Sequence, residues 1–162
     1  MKRITAVILA LLMITACFSG CELTKEKAFT KDGLTITLPG HFQDLSGQDY
    51  AQGMSFLYGF GNVAVMGIRE QKAGLEAYMS ELTLENYGKL MISTNGLSCQ
   101  LTQKDDLLTF VYEVENSGTS YTYLSAVFES DSDFWTVQSY CTTATYAKNY
   151  DAMWSYLKSV VV

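Results

Sequence analysis

Side chains able to do chemistry are scarce in this 162-residue chain. His41 is the only histidine, which largely excludes a Ser-His-Asp relay, a Cys-His pair or a multi-histidine metal centre. Beside Pro39-Gly40 it reads as a surface turn residue. Glu129, Asp131 and Asp133 alternate across a turn, as a calcium loop would. The glycine and terminal glutamate of that motif are missing at the required spacing. These acids, like Asp105-Asp106, read as turn formers that solvate a sheet edge. Gly59-x-Gly61 lies between two strand patterns with no helix after it, so no phosphate cradle is expected there. No nucleophile–base pair and no ligand set for a metal or cofactor can be assembled, and the expectation is a non-enzymatic protein without a cofactor.

The remaining reactive residues are four cysteines, and two of them close the leader MKRITAVILALLMITACFSGC. Lys2 and Arg3 precede an apolar run from Ile4 to Ile14, and small residues follow, which is the layout of an export signal. The run of about 11 residues falls short of the roughly 20 that a spanning helix needs. Its end resembles the lipobox of bacterial lipoproteins, in which a cysteine receives a diacylglyceryl group and becomes the first residue. Cys21 is the favoured lipidation site, because hydrophobicity persists to Phe18 and turns polar only at Glu22. Cys17, with Ile14 three residues before it, is the alternative. The bland reading is a plain secretory signal with incidental cysteines.

The lipobox resemblance implies a signal peptide over residues 1–20, a tether over 21–30 and one domain over 31–162. Two or more acyl chains, palmitate among them, would hold the mature protein stably on the bilayer. The expected location is extracytoplasmic, lipid-anchored to the cell membrane.

Composition agrees with a single folded domain. Eleven basic against 17 acidic residues leave a net charge of −6, and loss of Lys2 and Arg3 would make it more negative. Such a domain is a poor partner for nucleic acid and would not adhere to anionic lipid by charge. Thirteen percent aromatics and a single proline argue against disorder.

Leu34–Leu38 alternates with period two and stops at Pro39-Gly40, the pattern of a strand entering a turn. Residues 41–52 are polar and expected to be irregular. Met54–Tyr58 and Val63–Arg69 form a hairpin pattern. Leu75, Tyr78, Met79, Leu82, Leu90 and Met91 then fall at helical spacing, which predicts a helix over 75–92 ending at Asn95-Gly96. Four strands are predicted next: Leu97–Lys104, Leu107–Glu115, Ser120–Glu129 and Asp133–Cys141. A second helix is predicted over Thr143–Ser159, capped by Thr142 or Thr143.

With two-residue turns at Asp105-Asp106, Ser117-Gly118 and Asp131-Ser132, the register can be written down. Leu108 faces Gln103 and Val127, Phe110 faces Leu101 and Ser125, and Tyr112 faces Cys99 and Tyr123. Cys99 and Cys141 then sit on the first and last strands of the meander, about 14 Å apart at roughly 4.8 Å per strand. They also point to opposite faces, whereas a disulfide needs Cα atoms within about 7 Å, so both are expected as free buried thiols. The same register places Tyr112, Tyr123 and Tyr140 in a row across three adjacent strands. Under the first helix they would be core. Left partly open, they would be an aromatic platform for a sugar, peptide or small ring.

Apolar residues on both faces of the sheet require cover on both. The expected fold is α+β, an antiparallel sheet of about six to seven strands sandwiched by two helices. At this point the chain resembles the PsbP-like fold of the photosystem II extrinsic subunit, the small Ran-binding nucleotide-release factor and many bacterial lipoproteins. The resemblance runs through GLTITLPGHF, LEAYMSELTLENYGKL, the strands after it and YAKNYDAMWSYLKSVVV, covering about residues 30–162. Members often have Trp where this chain has Phe42. The resemblance implies a habit of binding partners rather than turning over substrates. The metal and partner contacts of its members find no matching motif here and are not carried across. The resulting expectation is a membrane-anchored binding or assembly module for an envelope protein partner. The alternative is a receptor for a small ligand that uses the tyrosine row.

Overall fold

The computed structural model describes residues 25–162 apart from Gln52; the leader, with Cys17 and Cys21, lies outside the described residues. Period-two alternation governs most of this stretch. It forms β1 (Glu26–Lys31), β2 (Leu34–Pro39), β3 (Gln43–Asp44), β4 (Phe56–Phe60) and β5 (Val63–Gln71). A one-turn helix α1 (Lys72–Leu75) and α2 (Leu84–Thr94) follow. The chain continues through β6 (Thr102–Lys104), β7 (Leu107–Asn116), β8 (Thr119–Glu129), β9 (Asp133–Thr142) and α3 (Thr143–Lys158). The main sheet has seven strands in the order β3-β4-β5-β9-β8-β7-β6, and β1 pairs with β2 in a separate small sheet. All ladders are antiparallel, so the class is α+β as expected.

Turn chemistry sets the register. Asp105 (φ 50°), Ser117 (φ 52°) and Gly118 (φ 78°) take the left-handed backbone that two-residue hairpin loops require. The third loop closes with the Ser130 amide donating to the Asp133 carbonyl at 2.9 Å. Leu108 therefore lies opposite Gln103 and Val127, Phe110 opposite Ser125, and Tyr123 opposite both Tyr112 and Tyr140.

One face of the main sheet packs under α3. Leu124, Ala126, Trp135, Val137 and Cys141 meet Met153 and Leu157 there, and Phe29, Leu34, Ile36 and Leu38 of the small sheet close the cluster. Full burial of a side chain such as Leu157 is worth about 1.5–3 kcal/mol. The small sheet is fastened to the end of α3 by reciprocal backbone bonds between Thr35 and Val161 at 2.8 and 2.9 Å. The other face carries Phe110, Val127 and Phe134 under Tyr87 of α2. Cys99 belongs to this second cluster and Cys141 to the first, and both thiols are free.

Four expectations need correction. The tether ends before Glu26, because the residues from Glu26 onward pair with β2 and Phe29 buries its ring 4.6 Å from Tyr58. The helix expected over 75–92 is broken: α1 stops at Leu75, and α2 starts only where Thr83 Oγ1 accepts from the Asn86 amide at 3.2 Å. Ser and Thr offer the backbone such local alternatives to helix, and Tyr78, counted on the apolar stripe, is 73% exposed. Of the strand expected over 97–104, only Thr102–Lys104 joins the ladder. Leu97, Cys99 and Leu101 pack toward α2 instead, where Gly88 admits Leu101: a Cβ at residue 88 would lie 2.8 Å from Leu101 Cδ1. The Phe110–Leu101 and Tyr112–Cys99 pairings are therefore absent. Finally, the segment 41–52 is not wholly irregular, since it contributes β3 and a single 3-10 turn at Asp49–Ala51.

Candidate functional site

Strand register brings the three tyrosines together as expected. Tyr112 and Tyr123 stack at 4.9 Å with 6° between ring planes, and Tyr123 and Tyr140 at 4.8 Å with 21°. These separations match the distance between neighbouring strands, about 4.8 Å, so the rings stand on the sheet like teeth of a comb. Each inner face is covered by the next ring, and the outward surface consists of edges and hydroxyls. Tyr121 stands edge-on to Tyr140 at 6.5 Å.

The row is half-buried rather than sealed under a helix. The late start of α2 is the reason. Tyr112 borders the cluster under α2, while Tyr123 and Tyr140 border another one made by Ala51, Leu57 and Met66 beneath the segment that follows β3. The tyrosines span the gap between these two covers. A cavity of about 290 Å³ opens at the Tyr112 end, between α2 and the sheet, and one of about 630 Å³ at the Tyr140 end, beside Leu45 and the β4–β5 hairpin.

The row is uncharged at neutral pH. Burial pushes the Tyr112 hydroxyl up to about 12, against the opposing effect of the hydrogen bond that Gln138 donates to it. Burial raises Tyr123 as well. Gln138 Nε2 donates to Tyr112 Oη at 2.9 Å and to Ser125 Oγ at 3.0 Å, which fixes the Tyr112 end of the row to the sheet floor.

A second buried hydroxyl positions α2. Tyr87, fully buried, stacks on Phe134 at 4.7 Å and donates to Glu70 Oε2 at 2.8 Å. Its single proton is thereby committed, so the Thr136 hydroxyl, 2.9 Å away, donates into it. The acids considered for calcium have other partners: Asp133 pairs with Arg69 at 2.7 Å and Glu129 with Lys72 at 2.6 Å. The hydrogen bond from Arg69 holds the Asp133 carboxyl below the ordinary carboxylate range. His41 sits in the turn after β2, its ring 4.1 Å from that of Phe60. Trp135 is core, and Trp154 lies under Lys104 at 4.6 Å.

Gln138 and Thr136 were not singled out from sequence, although a signal was present. They are the two polar residues on the inward face of β9, between Phe134 and Tyr140, where the alternation calls for apolar side chains. Met66 and Met91, which meet across the smaller cavity, gave no such signal.

No protein-family model matches the chain, and no curated protein does. Among solved structures it is similar to the cyanobacterial PsbP (CyanoP) of Synechocystis sp. PCC 6803, at 12% identity and a TM-score of 0.54, with 85% of this chain and 91% of that one covered. It is also similar to a protein of Bacteroides thetaiotaomicron VPI-5482, at 11% identity and a TM-score of 0.55, covering 86% of this chain. The match takes in 48% of that protein, so this chain spans about half its length. With its seven-stranded antiparallel sheet between α2 and α3, the chain has a PsbP-like fold.

Proposed function

We propose that this chain is an exported, lipid-anchored, non-enzymatic binding or assembly module that holds an envelope protein partner through the Tyr112–Tyr123–Tyr140 row. The row carries the reading: three stacked tyrosines stay half-buried between two cavities. Tyrosine combines a large apolar body with a polar tip, which is why it is enriched where one protein surface meets another. The basic start, apolar run and lipobox-like end of the leader support an anchor at Cys21, or Cys17 in its place. The acidic balance speaks against nucleic acid as a partner. A small-ligand receptor is the second reading, favoured by the cavities at the two ends of the row.

A photo-crosslinking residue in place of Tyr123, used in native membranes, tests the docking surface. A discrete protein adduct that disappears in Tyr112→Ser and Tyr140→Ser variants supports it; an adduct indifferent to those changes, or none, overturns it. Incorporation of labelled palmitate tests the anchor. Loss in Cys21→Ser but not Cys17→Ser is expected, and no incorporation into the parent chain refutes lipidation.

A further inference from the structure

The smaller cavity has the makings of a site in its own right. Its walls are apolar, with Met66, Met91, Leu97 and Phe110 among them, and Tyr112 and Gln138 stand in its lining. Gln138 is only 5% exposed, and both of its hydrogen bonds run through Nε2, inward to Tyr112 and Ser125. The carbonyl oxygen Oε1 is therefore the group it can offer an occupant. Asn95, at the end of α2, repeats the arrangement: its Nδ2 donates to the Met91 carbonyl at 2.8 Å, and the residue lines the same cavity. An apolar slot with acceptor oxygens selects an apolar molecule bearing a hydrogen-bond donor. Such a pairing of hydrophobic walls with a few placed polar groups is the general character of small-molecule sites, and about 290 Å³ is the low end of their size range.

Charge narrows the class further. Thr136, also in the lining, is hydrogen-bonded to Tyr87, which donates to the Glu70 carboxylate. Together with the net charge of −6, this disfavours anions. We propose that the cavity between α2 and the Tyr112 end of the row binds a small neutral or cationic ring compound, with an N–H or O–H donor directed at Gln138 Oε1. The assignment does not depend on a protein docking on the row.

Indole and benzofuran test it, being rings of one shape that differ in a single donor. The purified full chain, carrying ¹³C-methyl methionine, is titrated with each and followed by NMR. Indole should move the Met66 and Met91 methyl signals saturably and leave Met153, which lies in the cluster under α3, unmoved. Benzofuran should bind about tenfold more weakly, the effect of one hydrogen bond to a buried acceptor. Leu97→Trp should fill the space and abolish the response; comparison of the two rings on the parent chain needs no variant to fold. No shift at Met66 and Met91 with millimolar indole, equal affinity for benzofuran, or shifts that extend to Met153 each overturn the assignment.

Discussion

Replacing Tyr87 by Phe removes one oxygen atom and leaves the ring stacked on Phe134. The hydroxyl donates to a carboxylate at 2.8 Å and accepts from Thr136 at 2.9 Å. A hydrogen bond to a charged group contributes about 1.5–3 kcal/mol, and a buried polar group left unsatisfied costs about 1–3 kcal/mol. Glu70 is half-buried and regains water, whereas Thr136 is 3% exposed and does not. The two costs overlap, so the expected loss is about 2–4 kcal/mol, out of a total of roughly 5–15 kcal/mol for a typical domain. Urea unfolding followed by circular dichroism should show a lower midpoint at unchanged slope, since the surface exposed on unfolding hardly changes. In a Thr136→Val background the same substitution should cost about 1 kcal/mol less, because the stranded donor is gone. Burial raises the Tyr87 hydroxyl above its ordinary value. A raised acid stabilises the fold fully below the unfolded value of about 10 and loses that contribution as pH climbs toward the folded value. Tyr87→Phe should therefore flatten the alkaline limb of stability against pH. A change under about 0.5 kcal/mol, the range of an ordinary surface substitution, or strictly additive costs in the double variant, would refute the idea that this hydroxyl clamps α2 to the sheet.

Other outcomes follow from the same geometry. Mass mapping of the non-reduced protein should find no bond between Cys99 and Cys141, with Cys141 alkylated only on unfolding; Cys99, whose thiol burial pushes up, should react slowly. A Cys99–Cys141 disulfide would contradict the strand order. Gly67→Ala should destabilise by about 1–3 kcal/mol, since a Cβ there would lie 2.1 Å from Cε1 of the buried Phe56 ring. Phe56→Leu in the same chain should return part of that loss in thermal unfolding. Ultraviolet titration should show tyrosines ionising late, with Tyr112 near 12, and stability declining as pH rises from about 10 toward that value; Tyr112→Phe should remove the latest transition.

Much of the architecture was legible because it rests on local rules. Turn residues at Asp105, Ser117 and Gly118 take the backbone that two-residue loops need, and with period two they put Tyr112, Tyr123 and Tyr140 on one face. Helix α3 was equally plain, since its apolar stripe is uninterrupted and Thr142 precedes it. The first helix misled because Leu75, Tyr78, Met79 and Leu82 imitate helical spacing. Leu75 and Met79 are buried without a continuous helix, and the cap at Thr83 competes with the turn before it.

From the residues alone came the class, the hairpin register, the free cysteines and the membership of the tyrosine row, all consequences of alternation and turn chemistry acting between chain neighbours. Tertiary packing decided the rest. Leu101 leaves the ladder for the space that Gly88 provides on α2, Phe29 draws the supposed tether into a strand, and the shortened α2 leaves the row half-covered. These outcomes depend on which distant side chains compete for the same volume, and that competition exists only once the sheet has brought them together.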